Sequence, residues 1–407
     1  MDSFTPMGSV PAHYGSPSSI TWGRAIVAAV VPYIACTMPV FLTATLAIRL
    51  REDLHFDEAR LGALLAMFAV GGAVASPSAG RLAERIGPGP SLRLACASSG
   101  IVTIAIAIGA RSWGQMAALV AVSGIVTTFM MSANNLWLAR ALGGQKMGLA
   151  FGIKQSGGPA AAMLAGLAVP TFAATIGWRW TFATFGMFAV LASLTIPRGV
   201  SQGSGRSAPS RVGDLALTPM VVLTVGVGVS TAAASAFTGF AVTASVYQAG
   251  ISESVAGLIF ATGAAVGIMS RVSLGRWIDG RPGAGFEVPA AMVAAGALGF
   301  LALATGSRPA FLVAVPFGFA TAWGWVGLFH HALTRVNVNA PAAATGIIMV
   351  GTNLGVVTGP FVFGLVSTHS FRAAWLVNAA GSLLGATALM IGQRLVHRES
   401  LGSTSAQ

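Results

Sequence analysis

Apolar runs of about 20 residues, the length an α-helix needs to cross a bilayer, recur along this 407-residue chain with short polar breaks between them. Six fall at 23–47, 60–82, 93–110, 115–139, 148–173 and 180–197, and six more at 218–246, 254–278, 288–306, 309–333, 344–368 and 373–393. Between the two sets, residues 198–216 (RGVSQGSGRSAPSRVGDLA) turn to Ser, Gly, Pro and Arg, the composition of a flexible linker. The pattern predicts an all-α membrane protein of twelve transmembrane helices. They form an N-terminal bundle over 20–197, a cytoplasmic linker over 198–216 and a C-terminal bundle over 217–394. Residues 1–19 carry no apolar run and read as a disordered cytoplasmic tail rather than a signal peptide, with a second tail at 395–407.

Composition agrees: 55% of residues are hydrophobic and 8% charged, against about 25% charged in an ordinary soluble domain. A net charge of +12 raises the question of nucleic acid, but the bases stand singly between apolar runs rather than in a stripe, so no nucleic-acid partner is expected. They read instead as topology signals. With the termini cytoplasmic, that side collects Arg24, Arg81, Arg85, Arg93, Arg140, Lys146, Arg198, Arg206, Arg211, Arg276, Arg281, Arg335, Arg394 and Arg398. The other side keeps Arg49, Arg51, Arg60, Arg111, Arg179, Arg308 and Arg372. The expectation is a multi-pass protein of the cytoplasmic (inner) membrane with both ends inside. Cys36 and Cys96 both fall within spans and imply no disulfide framework. No nucleophile–base pair, metal-ligand cluster or phosphate-binding glycine loop is present in the sequence, so neither an enzyme nor a cofactor or metal is expected.

The halves echo each other, as transporter repeats do. Gly80-Arg81-Leu82-Ala83-Glu84 after the second run returns as Gly275-Arg276-Trp277-Ile278-Asp279 after the eighth, 195 residues on. Gly148, Gln155, Gly157 and Gly166 return as Gly346, Asn353, Gly355 and Gly364 at a shift of 198. Trp178-Arg179 before the sixth run has a counterpart in Phe371-Arg372 before the twelfth. Together with twelve runs and a polar central linker, G-R-L-A-E-R-I-G at 80–87 resembles the signature of the major facilitator superfamily, over residues 20–394. The resemblance implies two six-helix bundles that rock about a central site in alternating access. It also implies that Gly80, Glu84 and Arg85, with Gly275, Arg276 and Asp279, form a gating motif of close helix approach and charge-assisted bonds that break and re-form.

Apart from the arginines near the ends of the runs, counted above as topology signals, the charges inside them are Lys154 and Arg271, without one Asp or Glu. Arg271 lies eight residues before Asp279, roughly 12 Å into the membrane at 1.5 Å per residue. An ionisable group there costs about 2.5–3.5 kcal/mol on insertion scales and normally faces a partner or a wet cavity. Lys154 is shallower, about 9 Å deep, and a snorkelling lysine is the alternative to a ligand role. By the superfamily resemblance the fifth and eighth helices line the seam between the bundles, which would bring the two cations together with an anion between them. Arg-x-x-x-Gly-x-x-x-Asp at 271–279 is similar to the eighth-helix pattern of the monocarboxylate, oxalate:formate and nitrate porters, where that Arg binds the anion. Lys-Gln-Ser-Gly-Gly-Pro at 154–159 resembles permeases for cyanate and related small anions. The chain departs from these relatives at Ser76, Gly267 and Thr352, where one or another of them carries Arg, Asp or Lys.

Around the cations, Gln155, Asn353, Tyr33 and Asn134 are expected to complete a substrate site. Asn135, Trp323 and Trp325 are further candidates to shape it, and His330 and His331 are candidates for a proton relay. The expected function is secondary transport of a small organic anion, a monocarboxylate foremost, with proton symport; exchange and facilitated diffusion stay open as coupling modes. Efflux of apolar or cationic compounds is the alternative. A monomer is expected. Fusing a phosphatase that is active only outside the cytoplasm after Arg111 or Arg308 should give activity, and fusing it after Ser207 should give none; the opposite pattern would invert the topology.

Overall fold

The computed structural model describes residues 21–142, 147–197, 217–279, 285–337 and 340–404, and every regular element among them is helical. In the N-terminal half the first span is α1 (Trp22–Thr45), followed by the short α2 (Ala47–Leu54). Spans two to four are α3 (Glu58–Ile86), α4 (Pro88–Gly109) and α5 (Trp113–Leu142). The fifth span is broken into α6 (Met147–Gln155), α7 (Gly157–Ala168) and a π-helical segment, Val169–Ala173, and the sixth is α8 (Ala174–Thr195). In the C-terminal half α9 (Leu217–Tyr247), α10 (Glu253–Asp279) and α11 (Glu287–Ala304) are spans seven to nine. The tenth is broken into α12 (Arg308–Ala322) and α13 (Trp325–Val336), and α14 (Pro341–Ser367) and α15 (Phe371–Thr404) complete the set.

Among the described residues, 11 continuous helical stretches are long and apolar enough to cross a membrane. One of them, Gly152–Thr195, has 44 residues and reverses at Gly177, whose φ of +81° is costly for any residue with a Cβ. That stretch therefore crosses twice, and the architecture is twelve spans in two six-helix bundles. Pro170 in the π-helical segment has no N–H to give, which loosens the helix just before the reversal. The tail expected at 395–407 is helical through Thr404 as the end of α15. Hydropathy falls there, but backbone hydrogen bonding does not stop where the apolar run does. The tail 1–19 and linker 198–216 lie outside the described residues.

The two halves meet unevenly along their length. On the side where α3 and α10 begin, called here the far side, a Cβ at Gly62 of α3 would overlap the Pro360 carbonyl of α14 and stand 3.2 Å from the Gly364 Cα. A Cβ at Gly166 of α7 would stand 2.7 Å from the Gly257 carbonyl of α10. These contacts are one contact made twice. Gly62 and Gly257 are 195 residues apart, the shift of the gating echo, and Gly166 and Gly364 are 198 apart, the shift of the second echo. Small residues allow such backbone approach where lipid supplies no hydrophobic drive. Arg49 adds a charged tie, donating to Glu253 at the start of α10 at 2.8–2.9 Å and to the Ala173 carbonyl at 2.6 Å.

On the opposite side, where α1 begins, Gly80, Gly275 and Gly346 have nothing within 4 Å of a would-be Cβ. Glu84, Arg85 and Arg276 are exposed there, and among the described residues none of the three forms an ion pair. The Asp279 side chain lies outside the described residues. The chain is thus closed on the far side and open on the other. Gly166→Leu forces atoms between two backbones and should destabilise this form by about 1–3 kcal/mol, as overpacking does, read as a lower unfolding temperature in detergent.

Candidate functional site

Arg271 lies on α10 where that helix is pressed against α12. A Cβ at Gly263 would meet the Phe319 ring at 2.6 Å and one at Gly267 the Phe319 carbonyl at 3.2 Å, while Ser270 donates to the Ala320 carbonyl at 3.1 Å. The Phe319 carbonyl beside Gly267 leaves little room for a larger side chain there. The helices being this close, the Arg271 guanidinium reaches two backbone oxygens: Nη2 donates to Trp323 at 3.1 Å and Nη1 to Gln155 at 3.3 Å.

Both acceptors sit at helix breaks. Trp323 follows the last residue of α12 and precedes the restart of the helix at Trp325. Gln155 is the last residue of α6, and the residue four on, where a helix would supply the N–H for its carbonyl, is Pro159, which has none. Ser156 turns the chain there with its own N–H bonded three residues back, to Ile153 at 3.0 Å. Irregular backbone at membrane depth is tolerated where it is buried in protein or lines a cavity. Here its spare acceptors are what the arginine uses. Two of the five N–H donors of a guanidinium are taken up in this way, and among the described residues Arg271 forms no ion pair. The side chain stays partly exposed.

Lys154, one residue before Gln155, points elsewhere. It is 2% exposed, and its Nζ donates to Asn135 Oδ1 of α5 at 2.5 Å, inside the N-terminal half. Its side chain is buried within the protein rather than extended along the surface. Asn134, next to Asn135, is fully buried and donates from Nδ2 to the Ala29 carbonyl of α1 at 2.7 Å, which places it in the α1–α5 packing rather than at the seam. Tyr33 of α1 lies flat over the helix restart. A Cβ at Gly157 would meet its ring at 2.7–2.9 Å and one at Gly158 its hydroxyl at 3.5 Å. The side chains of Gln155 and Asn353 are both exposed.

Trp323 and Trp325 brace the second break. Trp323 Nε1 donates to the Ala234 carbonyl of α9 at 3.2 Å, and Trp325 Nε1 to Ala322 at 2.8 Å. His330, seven residues beyond Trp323, holds Nδ1 2.8 Å from the Val326 carbonyl; an acceptor there makes Nδ1 the protonated nitrogen and leaves Nε2 available. His331 is exposed. Among the described residues no group of three or more His, Cys, Asp or Glu is arranged to hold a metal.

The role of Pro159, the Trp323 carbonyl and the Arg49–Glu253 tie were not legible beforehand. Pro159 alone had a sequence signal, a missing donor four residues after a polar residue in an apolar run. Asn135→Ala removes one acceptor from the buried Lys154 ammonium and should destabilise the fold by about 1–3 kcal/mol, measured by thermal unfolding beside the near-neutral Asn353→Ala.

A family described as Major Facilitator Superfamily matches residues 21–343 of the chain. No curated protein matches the sequence. Among solved structures, a bacterial homolog to the human lysosomal transporter Spinster, in an inward-facing and occupied conformation, superposes with a TM-score of 0.74 at 14% identity over 91% of this chain and 97% of that one. The nucleoside transporter NupG superposes with a TM-score of 0.72 at 15% identity over 91% and 98%. At such identity the likeness is one of fold.

Proposed function

The chain belongs to the major facilitator superfamily and is a membrane transporter, and we propose that its substrate is a small organic anion, a monocarboxylate, anchored by Arg271. The observation that carries this reading is that the Arg271 guanidinium, in spans free of Asp and Glu, is held among the described residues by neutral carbonyls with donors left over. A planar fork of donors suits a carboxylate in bidentate fashion. Tyr33 over the Gly157–Gly158 step, the exposed Gln155 and Asn353 amides and the Lys154–Asn135 pair would complete the site. Lys154 acts there through the electrostatics of the pocket.

Alternating access follows from the uneven closure. The far-side glycine contacts and the Arg49–Glu253 tie open, while the Gly80–Arg85 and Gly275–Asp279 segments come together on the side of the termini, which is the cytoplasmic face. With no carboxylate in the spans to cycle a proton, the proton travels on the substrate or through His330 and His331, giving proton–anion symport. The protein works as a monomer in the inner membrane.

Counterflow in proteoliposomes with a panel of labelled carboxylates and inorganic anions, at two pH values, tests the substrate class. A carboxylate should exchange, Arg271→Ala should abolish exchange, and Arg271→Lys should not restore it fully because the fork is lost. A folded Arg271→Ala protein that transports normally sinks the proposal. A silent panel together with raised tolerance to cationic dyes in an efflux-deficient host would favour efflux.

A further inference from the structure

The bond from Arg271 to Gln155 is the odd one of the pair. The Trp323 bond joins α10 to the α12–α13 break within the C-terminal half, whereas the Gln155 bond crosses from the C-terminal half to the N-terminal half at membrane depth. At 3.3 Å it is also the longer, beyond the usual 2.7–3.2 Å range for N–H···O. It exists because Pro159 withholds the N–H that an unbroken helix would aim at the Gln155 carbonyl.

We infer that Pro159 is a positioning residue that creates, in the freed Gln155 carbonyl, a built-in competitor for the substrate on Arg271. This rests on the anion-anchor reading above. In the empty carrier the carbonyl occupies Nη1 and ties the halves together. An incoming carboxylate offers the same donor a charge-assisted bond, about twice as strong as one to a neutral carbonyl. It displaces Gln155 and takes the bond for itself. The released carbonyl has room to turn, because the Gln155 side chain beside it is exposed. The Trp323 bond is kept, so the guanidinium does not swing away as its partner changes. Substrate binding thereby removes a direct backbone tie across the seam, which couples loading to movement of the halves.

The consequence runs against intuition for a residue at a binding site. Pro159→Ala supplies an N–H at 159 that bonds Gln155 and disarms the competitor. Apparent affinity should then improve, with KM in counterflow falling roughly two- to tenfold, the span expected for one hydrogen bond. A purely structural role for Pro159 predicts the opposite sign, a raised KM, so the sign separates the two. A second readout needs no substrate: labelling of Arg271 by phenylglyoxal in the full chain in proteoliposomes, followed by peptide mass spectrometry. It should speed up about two- to tenfold in Pro159→Ala, with Arg60 unchanged as the internal control.

Lactic acid placed at 159, an ester that has no N–H but also no ring, should behave as the proline does in both measurements. It keeps the test decisive even if Pro159→Ala does not fold. Unchanged Arg271 labelling, an unchanged or raised KM, or an ester that behaves as alanine does would each overturn the inference. If labelling speeds up while the wild type moves no carboxylate, the placement of Arg271 stands and the monocarboxylate reading falls.

Discussion

A guanidinium lies in apolar spans that offer it no carboxylate, and the arrangement of the seam follows from that. All the Asp and Glu of the chain lie outside the apolar runs, so Arg271 has to be satisfied by dipoles. Backbone carbonyls are the strongest dipoles available, but an intact helix spends each of them on its own N–H four residues ahead. Carbonyls inside an unbroken helix can take a second bond, as Ala234 does from Trp323, but those at a break are freed from their first. The breaks at Ser156 and at Trp323–Gly324 and the arginine between them are therefore one device, and none of the three parts has an evident reason to be there without the others. The charge is solvated without being neutralised, the condition an anion site needs.

The second constraint is close backbone approach. Gly62 against α14 and Gly166 against α10 close the far side by the same contact used twice, as expected of halves related by an internal repeat. On the side of the termini the glycines of the gating motifs face open space. A contact that depends on glycine is short and all-or-none, so opening it exchanges one packed arrangement for another rather than stretching it. Charge decorates this symmetry unevenly. Glu58 and Glu253 are separated by the repeat shift of 195, yet Glu58 pairs with Arg51 within its own half, while Glu253 pairs with Arg49 across the seam. The repeat places two acids alike, and local arginines give only one of them a role between the halves.

The two cations illustrate what the chain reveals before it folds. Depth in a helix is a matter of counting, so both Lys154 and Arg271 could be placed inside the membrane from sequence. Direction around a helix near a break is not, because a break resets the angular register of everything after it. Lys154 and Gln155 are neighbours in sequence, yet one side chain turns back to Asn135 and the other residue's carbonyl meets Arg271. Asn134 and Asn135 divide in the same way between α1 and Lys154.

Sequence by itself determined the number of spans, their bounds to within a few residues at most ends, the internal repeat and the superfamily, because bilayer thickness and hydropathy impose these one segment at a time. No polar loop separates spans five and six, because a glycine with positive φ, Gly177, makes that reversal. The last helix outruns its apolar segment for the complementary reason, that hydrogen bonding continues where hydropathy ends. Which side of the molecule is closed, which carbonyls are spare and which of two equivalent acids crosses the seam were decided only by tertiary structure. These depend on where two separately folded halves touch, and no single helix contains that information.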